Sequence, residues 1–138
     1  MRRLSLALCG LAFLALSTGC DSSGTTGTVR VMSQNLYLGA DLFLVANEQD
    51  PNMIPVRVAQ LYGSVQASDP AARMAAVAAE IARVNPDLVG LQEVTTYYVQ
   101  SPGDNLPGAA NTTATTVTFD FLQLLLDALA DEGVSYTV

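Results

Sequence analysis

Asp87-Leu88-Val89-Gly90-Leu91-Gln92-Glu93-Val94 is the stretch on which the fold turns. It is a near-continuous apolar run and predicts a strand buried on both faces, as in a parallel sheet. Just upstream, Asn85-Pro86 marks a helix stop. Met74, Val77, Ala78, Ile81 and Val84 precede it at helical spacing, an apolar stripe for packing on a sheet. Ser68-Asp69-Pro70 opens that helix, with Asp69 suited to the N-cap and Pro70 to the first helical position. Further upstream, Val29-Arg30-Val31-Met32-Ser33-Gln34-Asn35-Leu36 begins with alternating β-branched residues and predicts a first strand. Tyr37-Leu38-Gly39-Ala40-Asp41 leaves it as a loop. Strand, helix, strand is an α/β arrangement.

Around this unit the signals are weaker. Residues 42–66 are predicted to hold two short helical stretches, broken by Asp50-Pro51 and Ile54-Pro55, as an excursion from the core. Thr95 to Thr118 is rich in Gly, Pro, Asn and Thr and reads as a long surface loop. The pair Tyr97-Tyr98 in it is expected to pack on the domain surface, a ligand contact being the alternative. Asn111-Thr112-Thr113 matches a glycosylation acceptor, which the bacterial-type signal described below makes accidental. Phe119 to Glu132 predicts an amphipathic helix, with Leu122, Leu125, Leu126 and Leu129 on one face and Gly133 closing it. Val134 to Val138 is expected to begin another strand.

Composition removes whole classes of mechanism. The chain has 138 residues, 13 acidic and 6 basic side chains, and neither His nor Trp. Half of its residues are hydrophobic and 14% are charged, the balance of a globular domain, not of a disordered acidic tail. Without His there is no Ser-His-Asp triad, Cys-His dyad or His-ligated zinc. All the basic residues are Arg, so a P-loop is excluded for want of its Lys.

Residues 1–19 read as a signal peptide. Arg2 and Arg3 form a positive start, Leu4 to Leu16 is a short apolar run, and Ser17-Thr18-Gly19 leads to Cys20. This resembles a bacterial lipoprotein signal, with Cys20 becoming the lipidated first residue. An ordinary secretory signal cut near Gly19 is the alternative. The expected location is the cell envelope, anchored to the bacterial membrane, or else secreted. Residues 20–28 then form the anchor and a Gly/Ser/Thr-rich tether. Removal of the signal leaves Cys20 as the single Cys, so no internal disulfide can form. It also leaves 4 Arg against 13 acidic residues, a net of −9 that repels polyanions.

The chemical signal is a carboxylate at the carboxyl end of a buried strand. A buried unpaired charge is costly, so Glu93 is expected to meet a cation or an Arg. Ligands bind outside the carboxyl ends of strands in open α/β sheets. Asn35 holds the same end of the first strand, so the two converge if the strands are neighbours. Such a pair suits Mg²⁺, which takes one or two carboxylates and keeps water and phosphate oxygens in its other positions. The purely structural alternative has Asn35 capping a turn and Glu93 paired with an Arg such as Arg73.

The string VRVMSQNLYLGADL (29–42), followed by the pattern R-x-x-x-V-A-x-E-I-x-x-x-N-P-D-L-V-G-L-Q-E-V (73–94), resembles the amino-terminal half of the endonuclease/exonuclease/phosphatase superfamily. This is the deoxyribonuclease I-like fold. LLLDALADEGVSYTV (124–138) is similar to its next helix and strand. The resemblance covers residues 29–138, and NPDLVGLQEV is its most specific part. It implies a four-layer α/β sandwich, two β-sheets flanked by helices, of which this chain holds an incomplete amino-terminal portion. It implies Mg²⁺-dependent hydrolysis of phosphate esters. Glu93 matches the family's metal-ligand Glu, Asn35 the Asn that helps place metal and water, and Gln92 a supporting neighbour. The family's catalytic His residues and its later Asp motifs have no counterpart here. Members run to roughly twice this length, as two packed sheets require. The chain is therefore expected to be a fragment that is itself inactive.

The expected function is thus a Mg²⁺-dependent phosphoesterase acting on a phosphodiester or phosphomonoester. The negative balance disfavours nucleic acid as substrate, towards smaller phosphate esters. The alternative is a non-enzymatic envelope lipoprotein serving as a binding or interaction module.

Overall fold

Two parallel strands, β1 (Val31–Asn35) and β2 (Leu88–Gln92), form the frame. Their register runs from Val31 opposite Leu88 to Asn35 opposite Gln92, which puts both carboxyl ends side by side. The start of the pair is fixed by the Asp87 carboxylate, which accepts from the Arg30 backbone N–H at 2.7 Å. The structure, a computed structural model, describes residues 27–100 and 114–138. The signal peptide, Cys20, most of the tether and the Asn111-Thr112-Thr113 motif lie outside the described residues. Among the described residues no helix is long and apolar enough to cross a membrane.

Three helices connect β1 to β2: α1 (Phe43–Ala46), α2 (Ile54–Ala67) and α3 (Pro70–Val84). Helix α3 follows its sequence signals. The Asp69 side chain caps it by accepting from Ala72 N at 3.2 Å, and Pro70 occupies the first turn. Asn85, in the left-handed region, ends it through a 2.8 Å bond from its N–H to Ile81 O. Helix α2 corrects the reading of 42–66 as an excursion. Pro55 lies in its first turn, where a missing N–H costs no intrahelical bond, so Ile54-Pro55 starts the helix instead of breaking it. Val65 on this helix is fully buried in the core.

The segment expected to be one long loop contains two further strands. β3 (Thr96–Val99) pairs antiparallel with β4 (Thr116–Asp120), Tyr97 facing Phe119, with an irregularity in register between Tyr97 and Tyr98. Helix α4 (Phe121–Asp131) follows directly, capped by the Asp120 side chain accepting from Gln123 N at 3.0 Å. Gly133, at φ +75°, closes it as expected. The expected last strand does not form among the described residues. Residues 134–138 make no ladder; Val134 and Tyr136 pack against the core, and the Tyr136 hydroxyl donates to Pro86 O at 2.6 Å.

The core lies between α3 and α4, where Met74, Ala78 and Ile81 meet Phe121, Leu125 and Leu129. Leu36, Ala40 and Val65 complete it. Met32, Val89 and Leu91 pack on it from one face of the β1–β2 pair. The opposite face is exposed: Val31 is 70% and its partner Leu88 58% accessible. Two-face burial of residues 87–94 is therefore corrected, since the described residues cover β2 from one side. Alongside β2 and α4 runs an apolar groove of about 600 Å³, lined by Leu88, Leu91, Val94, Leu122, Leu126 and Val138 among others. The described residues form a mixed α/β structure with one parallel and one antiparallel pair.

Candidate functional site

Glu93 is the first residue past β2 and Asn35 the last of β1. Parallel pairing brings them together as the sequence predicts. Asn35 Nδ2 donates to Glu93 Oε1 at 2.8 Å, and the Leu38 backbone N–H donates to Oε2 at 2.7 Å. Asn35 Oδ1 in turn accepts from Tyr37 N at 2.7 Å. These partners assign the amide: its oxygen must face the backbone donor and its nitrogen the carboxylate.

The backbone is bent to make this happen. Tyr37 and Glu93 both sit at positive φ, +55° and +56°. Left-handed backbone costs a residue with a Cβ roughly 1–2 kcal/mol, so two such residues just past the ends of neighbouring strands mark strain held by surroundings. Leu36 N–H continues the ladder to Gln92 O at 3.0 Å. The Tyr97 hydroxyl donates to Leu38 O at 2.7 Å. Gly39, at φ +99°, brings the loop so close to α2 that a Cβ would stand 3.0 Å from Ser68 Oγ and 3.2 Å from Val65 Cα.

The expectation of a buried Glu93 is corrected: among the described residues it is exposed. Its charge is nonetheless supported. The Asn35 amide first, and the Leu38 N–H second, hold its carboxyl below the usual carboxylate range against a smaller opposing effect of burial. Glu93 is thus an ionised acceptor at neutral pH, not a proton donor. Tyr97 behaves oppositely, its phenol pushed up mainly by burial.

The structural alternative divides in two. Asn35 does cap a turn, through Tyr37 N. Arg73 does not pair with Glu93; it bonds the carbonyls of Leu36, Tyr37 and Ser68. Gln92 turns away from Glu93, its Nε2 donating to Ser33 Oγ at 3.0 Å on the exposed sheet face. Sequence reasoning missed the role of Leu38, and it placed Tyr97 on the domain surface without its bond to the site loop. Leu38 contributes backbone groups, which leave no trace in residue type. Tyr97 had a signal, since Thr96-Tyr97-Tyr98-Val99 is rich in β-formers.

Whether Mg²⁺ suits these groups follows from the donor set. Among the described residues each oxygen of Glu93 accepts one hydrogen bond, which leaves each a further lone pair. One carboxylate with water and phosphate oxygens is a common Mg²⁺ shell. Among the described residues no three His, Cys, Asp or Glu side chains cluster to form a closed protein cage. The set therefore fits a hydrated Mg²⁺ held by one carboxylate. No protein-family profile, curated protein or solved structure matches the chain.

Proposed function

We propose that this chain carries the metal-holding part of a Mg²⁺-dependent phosphoesterase of the endonuclease/exonuclease/phosphatase type. The observation that carries the reading is the Asn35–Glu93 hydrogen bond at the joined carboxyl ends of β1 and β2. The four-layer sandwich belongs to the same proposal, and the exposed face of β1–β2, with Val31 and Leu88, supports it as the surface that a second sheet would cover.

In this reading Glu93 holds the cation by the lone pairs that its hydrogen bonds leave free. Asn35 and the Leu38 N–H keep the carboxylate ionised and fixed in direction. A bound Mg²⁺ supplies charge neutralisation at a phosphoryl oxygen and at the leaving oxygen. The chain has no His, so the imidazole that the family uses for proton transfer is not among these residues. Hydrolysis by the 138-residue chain alone is expected to be absent.

The test is a metal titration watched by NMR. Mn²⁺ substituted for Mg²⁺ should broaden the resonances of Asn35, Leu38 and Glu93 before any others, and Glu93→Gln should remove the effect. Broadening that spreads evenly over the acidic surface would defeat the assignment.

A further inference from the structure

We infer that Arg73 is a positioning residue for the Glu93 carboxylate, acting through the Tyr37–Leu38 peptide; its functional weight rests on the metal site proposed above. Arg73 lies in the first turns of α3 and sends its guanidinium under the loop that follows β1. Nη1 donates to Leu36 O at 2.5 Å and to Tyr37 O at 2.7 Å. Nε donates to Ser68 O at 3.0 Å and Nη2 to Ser68 Oγ at 3.1 Å. The guanidinium carbon stands 5.2 Å from the centroids of both the Tyr37 and the Phe121 rings. The group is thus held in its plane by four hydrogen bonds and covered by two rings, a task suited to the planar fork of Arg and not to an ammonium.

Its choice of partners is the unusual point. The chain has 13 acidic residues and 6 Arg, yet the hydrogen bonds described for Arg73 go to three carbonyls and a hydroxyl and to no carboxylate. One of those carbonyls explains why. Tyr37 C=O and Leu38 N–H are the two ends of a single peptide unit, which is planar and trans. Arg73 holds the oxygen end, and the Glu93 carboxylate accepts from the nitrogen end at 2.7 Å. Fixing one end of a rigid plane fixes the direction of the other. A cation at the carbonyl also polarises the amide, which strengthens donation from its N–H. Arg73 therefore aims a backbone donor at Glu93 without approaching it as an ion pair, and it holds Tyr37 in the left-handed conformation that the aim requires.

The experiment is amide hydrogen exchange and ¹H–¹⁵N NMR on the full chain, comparing wild type with Arg73→Lys and Ser68→Ala. Lys keeps the positive charge and loses both fork and stacking. Arg73→Lys should speed exchange at Leu38 N–H by about tenfold or more, the loss of a charge-assisted hydrogen bond. It should also shift the Asn35 side-chain amide signals. Leu36 N–H, which bonds within the ladder to Gln92 O, is the internal reference and should change far less. Ser68→Ala removes one acceptor of Arg73 while leaving the guanidinium in place, so it should move Leu38 in the same direction by less. Equal loss of protection at Leu36 and Leu38 would reduce Arg73 to a general structural residue and overturn the inference. An unchanged Leu38 signal in Arg73→Lys would overturn it too, and if that variant does not fold, an unchanged signal in Ser68→Ala decides against it. A selective Leu38 response in a protein whose Glu93 ignores Mg²⁺ would uphold the positioning role and remove the metal reading.

Discussion

Asn35 and Glu93 join the ends of two parallel strands by a 2.8 Å hydrogen bond although they stand 58 positions apart in the chain. Asn35 also closes its own turn through Tyr37 N, so one amide links the local bend to the distant carboxylate. Its removal separates metal binding from folding. Asn35→Ala should weaken the Mg²⁺ binding proposed at Glu93 by about 10–100-fold, the usual effect of losing a partner that orients a metal ligand. Isothermal titration or the Mn²⁺ broadening midpoint measures this. Unaltered binding would show that the carboxylate needs no orientation from Asn35.

Acid should unfold the protein partly through Glu93. Its folded pKa is lowered, chiefly by Asn35 and then by Leu38 N–H. The stability from such a group is complete above the unfolded value of about 4.3 and disappears as pH falls through the lower folded value. Glu48, lowered chiefly by its hydrogen bond with Arg57, acts in the same direction. Denaturation midpoints between neutral pH and strong acid should therefore fall most steeply below the ordinary carboxylate range. Glu93→Gln should flatten that slope. An identical slope in the variant would show that the Glu93 interactions do not survive in solution.

Packing between α3 and α4 can be tested at Met74, which is fully buried. Met74→Ala should destabilise by about 2–5 kcal/mol, which combines lost transfer energy with a residual cavity. Urea unfolding reads it. Because single domains hold only about 5–15 kcal/mol in total, this variant should be close to the limit of folding. A loss of a few tenths would place Met74 at the surface.

Gly39→Ala probes the close contact of the site loop with α2. The left-handed backbone alone costs about 1–2 kcal/mol for a residue with a Cβ. The new methyl would also stand 3.0 Å from Ser68 Oγ and 3.2 Å from Val65 Cα, and the second of these is backbone and cannot swing aside. The measured destabilisation should exceed the conformational cost. A neutral result would mean that the loop and α2 do not approach each other so closely.

Lipidation of Cys20 is tested by mass spectrometry of the mature amino terminus. The lipoprotein-type signal in residues 1–19 leads us to propose cleavage before Cys20 and an added mass of several acyl chains, since one chain alone anchors only marginally. A mature chain that starts elsewhere, or an unmodified Cys20, would replace the anchor with simple secretion.

The strand–helix–strand unit was readable because its signals are local. Asp69-Pro70 and Asn85-Pro86 bracket α3, and the stripe through Met74, Ala78 and Ile81 names its buried face. Strands β3 and β4 escaped because their identity lies in mutual pairing. Thr116-Val117-Thr118 next to a Gly- and Pro-rich stretch reads as loop until Tyr97 is set opposite Phe119. Helix α2 was hidden by Pro55, whose meaning depends on whether it opens a helix or interrupts one. Asn35 and Glu93 were legible from chemistry at strand ends. The part played by Arg73 was not, because its partners are carbonyls, and any residue type can supply a carbonyl.

The parallel pairing of β1 with β2 also dictates an order of events in folding. Turns of α3 form from contacts a few residues apart, on the microsecond scale or faster. The carboxylate of Glu93 cannot meet Asn35 until the chain has closed a loop of 58 positions and brought β2 back to β1. Long-range closure of this kind is a late, slow step. A cation at the proposed site would therefore take no part in nucleating the fold, and would bind only what has already assembled. Its effect would fall on the reverse reaction: by mass action it would draw population from open chains to closed ones. Mg²⁺ should thus lengthen the life of the folded state while leaving the rate of reaching it unchanged.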